Sequence, residues 1–300
     1  MAESPMTTRQ NGQAFGEVYD RGYQHYTGPR LGRAHAFRAL TGYSMKRALG
    51  SKKRWTAKVV PVILYVAVAM LVIIPLGIQA FIDSAEILQY WDYFSVAWLI
   101  LGVFVATIAP EMLCGDRREK TLILYFSRPI TRLDYLLAKL LATALLTLTI
   151  TLIPLAIFWL GRQLLDDSPV SAMRDNIGDL FKIVVVSIVV SAYLGALGLV
   201  VSAFTGRKAI AVGIIIVAFL FASALAGVLQ NVFGTDSQKA WFGLISPVRT
   251  ITQFVTGIWD HPVQDNQFGS PLDTWVYGAV MIAVVLVCCA IMYWRYVPED

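Results

Sequence analysis

Asp166, Asp167 and Asp175 lie close together in an otherwise apolar chain, and clustered carboxylates suit hard divalent cations that take oxygen ligands. The cluster is single and loosely spaced, weak beside the acidic motifs with which membrane prenyltransferases hold magnesium. With Asp179, and only Arg162, Arg174 and Lys182 of the opposite sign, it reads as an acidic loop on the outer side of a membrane. His25, His35 and His261 have no partner at metal-ligand spacing, so no metal site is expected. An intramembrane serine peptidase needs a nucleophile and a histidine at membrane depth, and no apolar run contains a histidine. A Gly-rich phosphate loop ending in Gly-Lys-Ser/Thr is also absent, so this chain does not bind ATP by that device. Cys114, Cys288 and Cys289 make no disulfide framework and read as small buried residues. The sequence therefore predicts a chain that is not an enzyme, with no catalytic residue and no cofactor.

What positions these residues is a set of long apolar runs. The chain has 300 residues, 57% hydrophobic and 15% charged, too apolar for a soluble domain. Six runs, at 59–80, 93–113, 136–160, 181–204, 209–229 and 274–294, each have about 20 residues, the length that crosses roughly 30 Å of hydrocarbon as a helix. The fold class is an all-α integral membrane protein. Formal charge is +5, and its placement says more than its sum. The first connection carries Asp83, Glu86 and Asp92 without Lys or Arg, whereas Thr205-Gly206-Arg207-Lys208 is basic. Basic connections stay inside, which puts both termini in the cytoplasm of a cell with this protein in its inner or plasma membrane. Nucleic acid is not the implied partner of that charge; lipid is the surroundings.

The most basic connection is also the most structured. Arg117, Arg118, Lys120, Arg128, Arg132 and Lys139 surround an apolar core, Leu122 to Phe126, which Glu119 and Thr121 open and the Arg128-Pro129 step closes. A solvated loop would only set topology. Five apolar residues in a row do not stay in water, so a short helix is expected here, on lipid or on a partner protein. Ahead of the first span, Phe37, Leu40, Tyr43 or Ser44, and Ala48 recur at helical spacing among Arg38, Lys46, Arg47, Lys52, Lys53 and Arg54, which predicts an amphipathic helix at the headgroups. In the long connection 230–273, Ser246 caps Pro247, and Val248, Ile251, Phe254, Val255 and Ile258 keep helical spacing over a segment too short to span.

The centres of the runs carry no ionisable residue, which argues against a proton- or sodium-coupled carrier. They do carry spaced small residues: Ser187, Ser191 and Gly195 in the fourth run, and Ala218, Ala222 and Ala226 in the fifth, each allowing close helix approach.

Glu111 at the end of the second run, Glu119-Lys120-Thr121-Leu122, Ser127-Arg128-Pro129-Ile130-Thr131-Arg132, and Lys139 leading into the third run together resemble the type 2 permeases of ABC transporters. The resemblance covers the six spans, the amphipathic helix before them and the short helices between the fifth and sixth. Lys120 departs from it, standing where glycine is usual before the threonine. It implies the membrane half of an ATP-driven exporter, two copies pairing with two copies of a separate ATPase. The coupling residues it implies are Glu119, Thr121, Leu122, Leu124, Phe126, Arg128, Pro129 and Arg132; the second copy would pack on Ala218, Ala222 and Ala226. The division expected is a cytoplasmic arm and interfacial helix at 1–58, a permease domain at 59–294 with a coupling loop at 114–135 and an external loop at 230–273, and a tail at 295–300. The alternative from another class is a membrane scaffold whose basic loops recruit a soluble partner without transport.

Overall fold

In hydrocarbon every backbone N–H and C=O must be satisfied within its own segment, so apolar runs of this length become helices. The computed structural model describes residues 28, 31–50, 56–82, 88–118, 130–233, 236–261 and 272–296. The chain divides into two units, Met1–Leu31 and Gly32–Asp300. Only Gly28 and Leu31 of the first are described, and everything below concerns the second. Every regular element among its described residues is a helix: α1 (Arg33–Ala48), α2 (Thr56–Gln79), α3 (Tyr93–Arg118), α4 (Arg132–Leu164), α5 (Pro169–Asp175), α6 (Ile177–Phe204), α7 (Lys208–Val232), α8 (Asp236–Gly243), α9 (Pro247–Ile258) and α10 (Thr274–Tyr296). Six of these, α2, α3, α4, α6, α7 and α10, are long and apolar enough to cross a membrane. They correspond one to one with the six apolar runs.

The helices form an inner and an outer group. In its most apolar stretch α6 is 61% buried and α2 only 17%, which places α6, with α3 and α4, inside and α2, α7 and α10 around them. The inner contact is made by Phe104, Val105 and Ile108 of α3, Leu146 and Ile150 of α4, and Ile183, Val190 and Leu199 of α6. Lipid tails are as apolar as these side chains, so close packing must hold the helices together. Small residues permit it. A Cβ on Gly198 of α6 would come within 2.5 Å of Val105 and 2.9 Å of Ala109, and Gly195 already lies against the backbone of Ala144. Ser191 shares a hydrogen bond of 3.1 Å with Thr151. The small-residue face of the fourth span thus packs within the chain.

Proline inside α4 is accommodated by a neighbour. Pro154 has no N–H, so the carbonyl of Ile150 one turn earlier loses its helical donor. The buried Tyr93 hydroxyl of α3 donates to that carbonyl at 3.0 Å. The repair also fixes the start of α3 against α4.

The spans extend beyond the apolar runs. α3 continues to Arg118 and α4 begins at Arg132, so both ends of the expected coupling loop 114–135 are helical. α1 stops at Ala48, with Gly50 just beyond it at φ 73°, the left-handed region that glycine tolerates. Its buried face, Leu40, Thr41, Ser44 and Ala48, packs on α3 and α4. Tyr43 is exposed, so Ser44 occupies that position of the stripe. Between α7 and α10, Ser246 caps α9 by accepting the Arg249 N–H at 3.3 Å. Ile251, Phe254 and Val255 turn toward α3, α7 and α10. α5 was not legible in the sequence: seven residues are too few for a periodic signal.

Candidate functional site

The segment 119–129 lies outside the described residues, and with it Glu119, Thr121, Leu122, Leu124, Phe126, Arg128 and Pro129. Its two roots are described: the last turn of α3 and the stretch from Ile130 into the first turns of α4. Arg132, half-buried, is the first residue of α4.

These roots are joined by a buried carboxylate. Asp116 of α3 is fully buried and meets three side chains. Lys139 Nζ of α4 pairs with its Oδ2 at 2.8 Å, the Tyr135 hydroxyl of α4 donates to the same oxygen at 2.8 Å, and Arg47 Nη1 of α1 pairs with Oδ1. Lys139 is as deeply buried as its partner, at 1% exposure. A charge removed from water in this way is tolerated only with close opposite charge and hydrogen bonds. The Asp116 carboxylate therefore dictates where α1, α3 and α4 sit relative to one another. Local sequence makes room for it. Gly115 precedes Asp116, and a Cβ there would lie 2.0 Å from Arg47 Nη2, so only glycine lets the guanidinium lie across α3.

A second layer lies nearer the loop. Thr131 caps α4 by accepting the Asp134 N–H at 3.2 Å, while Asp134 accepts the Thr131 N–H at 3.0 Å, the reciprocal arrangement of a capping box. Asp134 is gripped in turn by Arg33 of α1, whose Nε and Nη2 each donate to one oxygen at 2.7 Å. That carboxylate lifts the Arg33 guanidinium further above its already high ordinary value. A two-pronged pair of this kind fixes orientation as well as distance.

Two further contacts carry the junction to the rest of the bundle. Lys208, the first residue of α7, donates to Glu111 of α3 at 2.5 Å. Arg117 Nη1 donates to the carbonyl of Ala203 in the last turn of α6, where unpaired carbonyls attract cations. Tyr296 at the end of α10 stands 6.1 Å, ring to ring, from Tyr135. One end of the bundle, here termed the α1 end, is thus tied around the two residues from which 119–129 departs. Chemically this arrangement holds charge in fixed geometry.

Of the residues singled out in the sequence, Glu111, Arg132 and Lys139 belong to this junction. Arg47, expected only as one of the basic residues at the headgroups, belongs to it too, whereas Arg33, Asp116, Asp134 and Tyr135 were missed. Two signals were available. Thr131-Arg132-Leu133-Asp134 is a Thr-x-x-Asp run ahead of an apolar stretch, and Asp116 is an acidic residue directly ahead of Arg117 and Arg118. In α7, Ala218 is exposed, Ala222 half-buried and Ala226 buried within the chain, so the three alanines do not present one uniform face.

A family model described as ABC-2 family transporter protein matches residues 11–300. No curated protein matches the chain.

Proposed function

This chain belongs to the ABC-2 transporter family, a membrane-spanning permease of an ABC transporter, and from that premise we propose that its α1 end faces the cytoplasm and docks an ABC ATPase through residues 119–129. Membership implies such an ATPase partner. The finer reading is an exporter of two permease copies and two ATPase copies, in which ATP-driven movement of the docking segment is passed to the spans. The permease itself does no bond chemistry.

The observation that carries this reading is the Asp116 junction. A segment that must deliver force needs roots that do not yield, and the roots here are held by buried ion pairs reaching α1, α3 and α4. Orientation is supported by charge: Arg38, Lys46, Arg117, Arg118 and Arg207 belong to the α1 end, whereas Asp92, Asp166, Asp167 and Asp175 stand at the opposite one. The termini would accordingly be cytoplasmic and the membrane a cell's inner or plasma membrane. For the second copy, the exposed Ala218 supports contact through α7, with Ala226 contributing to packing inside each copy.

Co-purification tests the docking. Leu124→Asp with Phe126→Asp should abolish recovery of the ATPase while the permease still inserts and elutes as the wild type does, because a carboxylate cannot enter an apolar groove without losing its water. The wild-type complex should weigh as two copies of each chain. Full ATPase recovery by the double variant would remove 119–129 as the docking segment.

A further inference from the structure

At the end of the bundle opposite α1, the ends of α2 and α4, the chain just ahead of α3 and the start of α6 surround a cavity of about 660 Å³. That volume lies within the range of small-molecule sites, roughly 300–1,000 Å³. Its wall is mostly polar in a chain otherwise so apolar, and none of its groups takes part in the Asp116 junction. What such a wall can hold follows from which of its hydrogen-bonding atoms are already committed and which are open.

Most donors are committed within the wall itself. Arg162 Nη1 donates to Gln89 Oε1 at 2.6 Å, and its guanidinium lies over the rings of Tyr90, at 5.2 Å, and Phe158, at 5.9 Å. The Asn176 amide gives both of its hydrogens, to Gln163 Oε1 at 3.1 Å and to the Ala172 carbonyl at 3.0 Å. Gln163 is hydrogen-bonded in turn to the Tyr90 hydroxyl. Acceptors are left over. Asp167 has no partner among the described residues. Asp166 Oδ1 takes the Ser168 N–H at 3.1 Å and Asp179 Oδ1 the indole N–H of Trp259 at 3.1 Å; each keeps its second oxygen, as Asn176 keeps its Oδ1. Two donors are open as well, since the Gln79 amide and the Trp91 indole N–H have no hydrogen-bond partner among the described residues.

This inventory sorts ligands by their chemistry. A phosphate or carboxylate only accepts hydrogen bonds, and here it would find carboxylates where it needs donors. An ammonium only donates: it leaves Gln79 and Trp91 unanswered, shares the cavity with the Arg162 charge, and gains little from carboxylates as exposed as Asp166 and Asp167. A hydroxyl does both, giving one hydrogen and accepting others, and it brings no charge into a wall of mixed sign. Two neighbouring hydroxyls on one ring can bond the two oxygens of one carboxylate. Trp91, with His261 stacked on it at 4.4 Å, and Leu165 supply the apolar surface that the C–H faces of such a ring need. We infer that this cavity binds a neutral polyhydroxylated ligand of the class of mono- and disaccharides, its hydroxyls giving to Asp166, Asp167 and Asn176 and accepting from Gln79 and Trp91. The site needs neither ATP nor an ATPase, so failure of the docking proposal leaves it standing and its own failure leaves docking untouched.

Isothermal titration calorimetry of the full chain in an oxyethylene detergent, which carries no sugar of its own, tests it. The probes are three neutral disaccharides (maltose, sucrose and trehalose), putrescine as a cation and inorganic phosphate as an anion. Saturable binding of at least one disaccharide is expected, unchanged between low and high salt because the ligand has no charge to screen. Putrescine and phosphate should bind at least about tenfold more weakly. Asp167→Ala, at an exposed position with no partner to lose, should weaken the disaccharide about tenfold or more, the size of one hydrogen bond to a charged group. Gln79→Leu removes a neutral partner and should weaken it by less. Asp175→Ala, exposed on α5 and outside the cavity lining, should bind it as the wild type does. Putrescine binding as tightly as the best disaccharide would assign the cavity to cations and overturn the inference. Preferential saturation by phosphate, an Asp167→Ala variant that binds as the wild type does, or no saturable binding of any probe would overturn it as well.

Discussion

The two ends of this helix bundle solve the same problem in different ways. At both, helices that are apolar along most of their length must be held in register where the polar chain begins. At the α1 end the ties are ionic and partly dry: Asp116 with Lys139 and Arg47, Glu111 with Lys208, Arg33 with Asp134. At the opposite end they are mostly amides, hydroxyls and rings. Arg249 donates to Gln230 at 2.5 Å, Gln230 to the carbonyl of Lys239 at 2.7 Å, Ser223 and Ser246 share a bond of 3.0 Å, and Trp91 lies on His261 at 4.4 Å. Buried ion pairs are poor suppliers of stability against a well-packed apolar alternative, but they are steep: breaking one by removing a single partner is severe. An element that must move as a unit with a docked partner gains from steep restoring contacts. Amide and hydroxyl ties such as those at the opposite end are softer, because water can stand in for either partner.

The largest expected effect comes from making one chemical change at both ends. Asp116→Asn removes a fully buried carboxylate and leaves the Lys139 ammonium buried without its charge partner, for which about 3–5 kcal/mol of destabilisation is expected. Asp179→Asn removes a carboxylate that water and Lys182 already share, for which less than about 1 kcal/mol is expected. Unfolding midpoints of the purified permease measure both. Adding Lys139→Met to Asp116→Asn should return part of the loss, since Arg47 is near enough to solvent to leave while lysine is not. Equal midpoints for the two Asp→Asn variants would end the contrast between the ends.

A smaller effect sharpens the geometry of the ionic end. Gly115→Ala puts a Cβ where Arg47 Nη2 lies, and the flexible guanidinium must swing away from Asp116. Overpacking of this kind costs about 1–3 kcal/mol. If the cost arises from Arg47 and not from the backbone of α3, it should vanish when Gly115→Ala is made in an Arg47→Gln background. A penalty that persists there would mean that Gly115 serves some other contact.

Most of the fold was legible because the membrane imposes a single rule: about 20 apolar residues without charge become a spanning helix. The six runs, the capped segment at Ser246 and the helix ahead of the first span all follow from periodicity and length. The junction was only half legible, for a physical reason. Hydropathy ends the second run at residue 113 because Asp116, Arg117 and Arg118 follow, yet α3 carries on for another turn with those charges on it. A charge that is paired in space looks identical, along the chain, to one that faces water. Along the chain Lys139 reads as a marker of side, and its burial beside Asp116 depends on α1 and α3 arriving from elsewhere in the sequence, which no local pattern encodes. The polar cavity at the opposite end, lined by Gln79, Gln89, Arg162, Gln163 and Asn176, was invisible for the same reason. Its amides and Arg162 lie at four helix ends, and each looks there like an ordinary boundary residue.

The smallest effect reverses the comparison. Thr131 and Ser246 each cap a helix with a side-chain oxygen, Thr131 at the α1 end and Ser246 at the other, and loss of such a cap costs about 0.5–2 kcal/mol. On ionic strength alone the α1 end should suffer more. The surroundings say otherwise: Thr131 is exposed, and its capping partner Asp134 remains held by both donors of Arg33 at 2.7 Å when the hydroxyl is gone. Ser246 is 4% exposed, and its hydroxyl serves both the Arg249 N–H and the Ser223 hydroxyl. Ser246→Ala therefore strips a partner from two groups where water has poor access, while Thr131→Ala strips the Asp134 N–H and a long 3.4 Å contact from Arg33 Nη2 at an exposed position that water can reach. Ser246→Ala should fall near the upper limit of that range and Thr131→Ala near the lower. Amide hydrogen exchange in the first turn of α9 should quicken more than in the first turn of α4. A larger loss of protection at α4 would show that the cap, and not the Arg33 pair behind it, holds the root of residues 119–129.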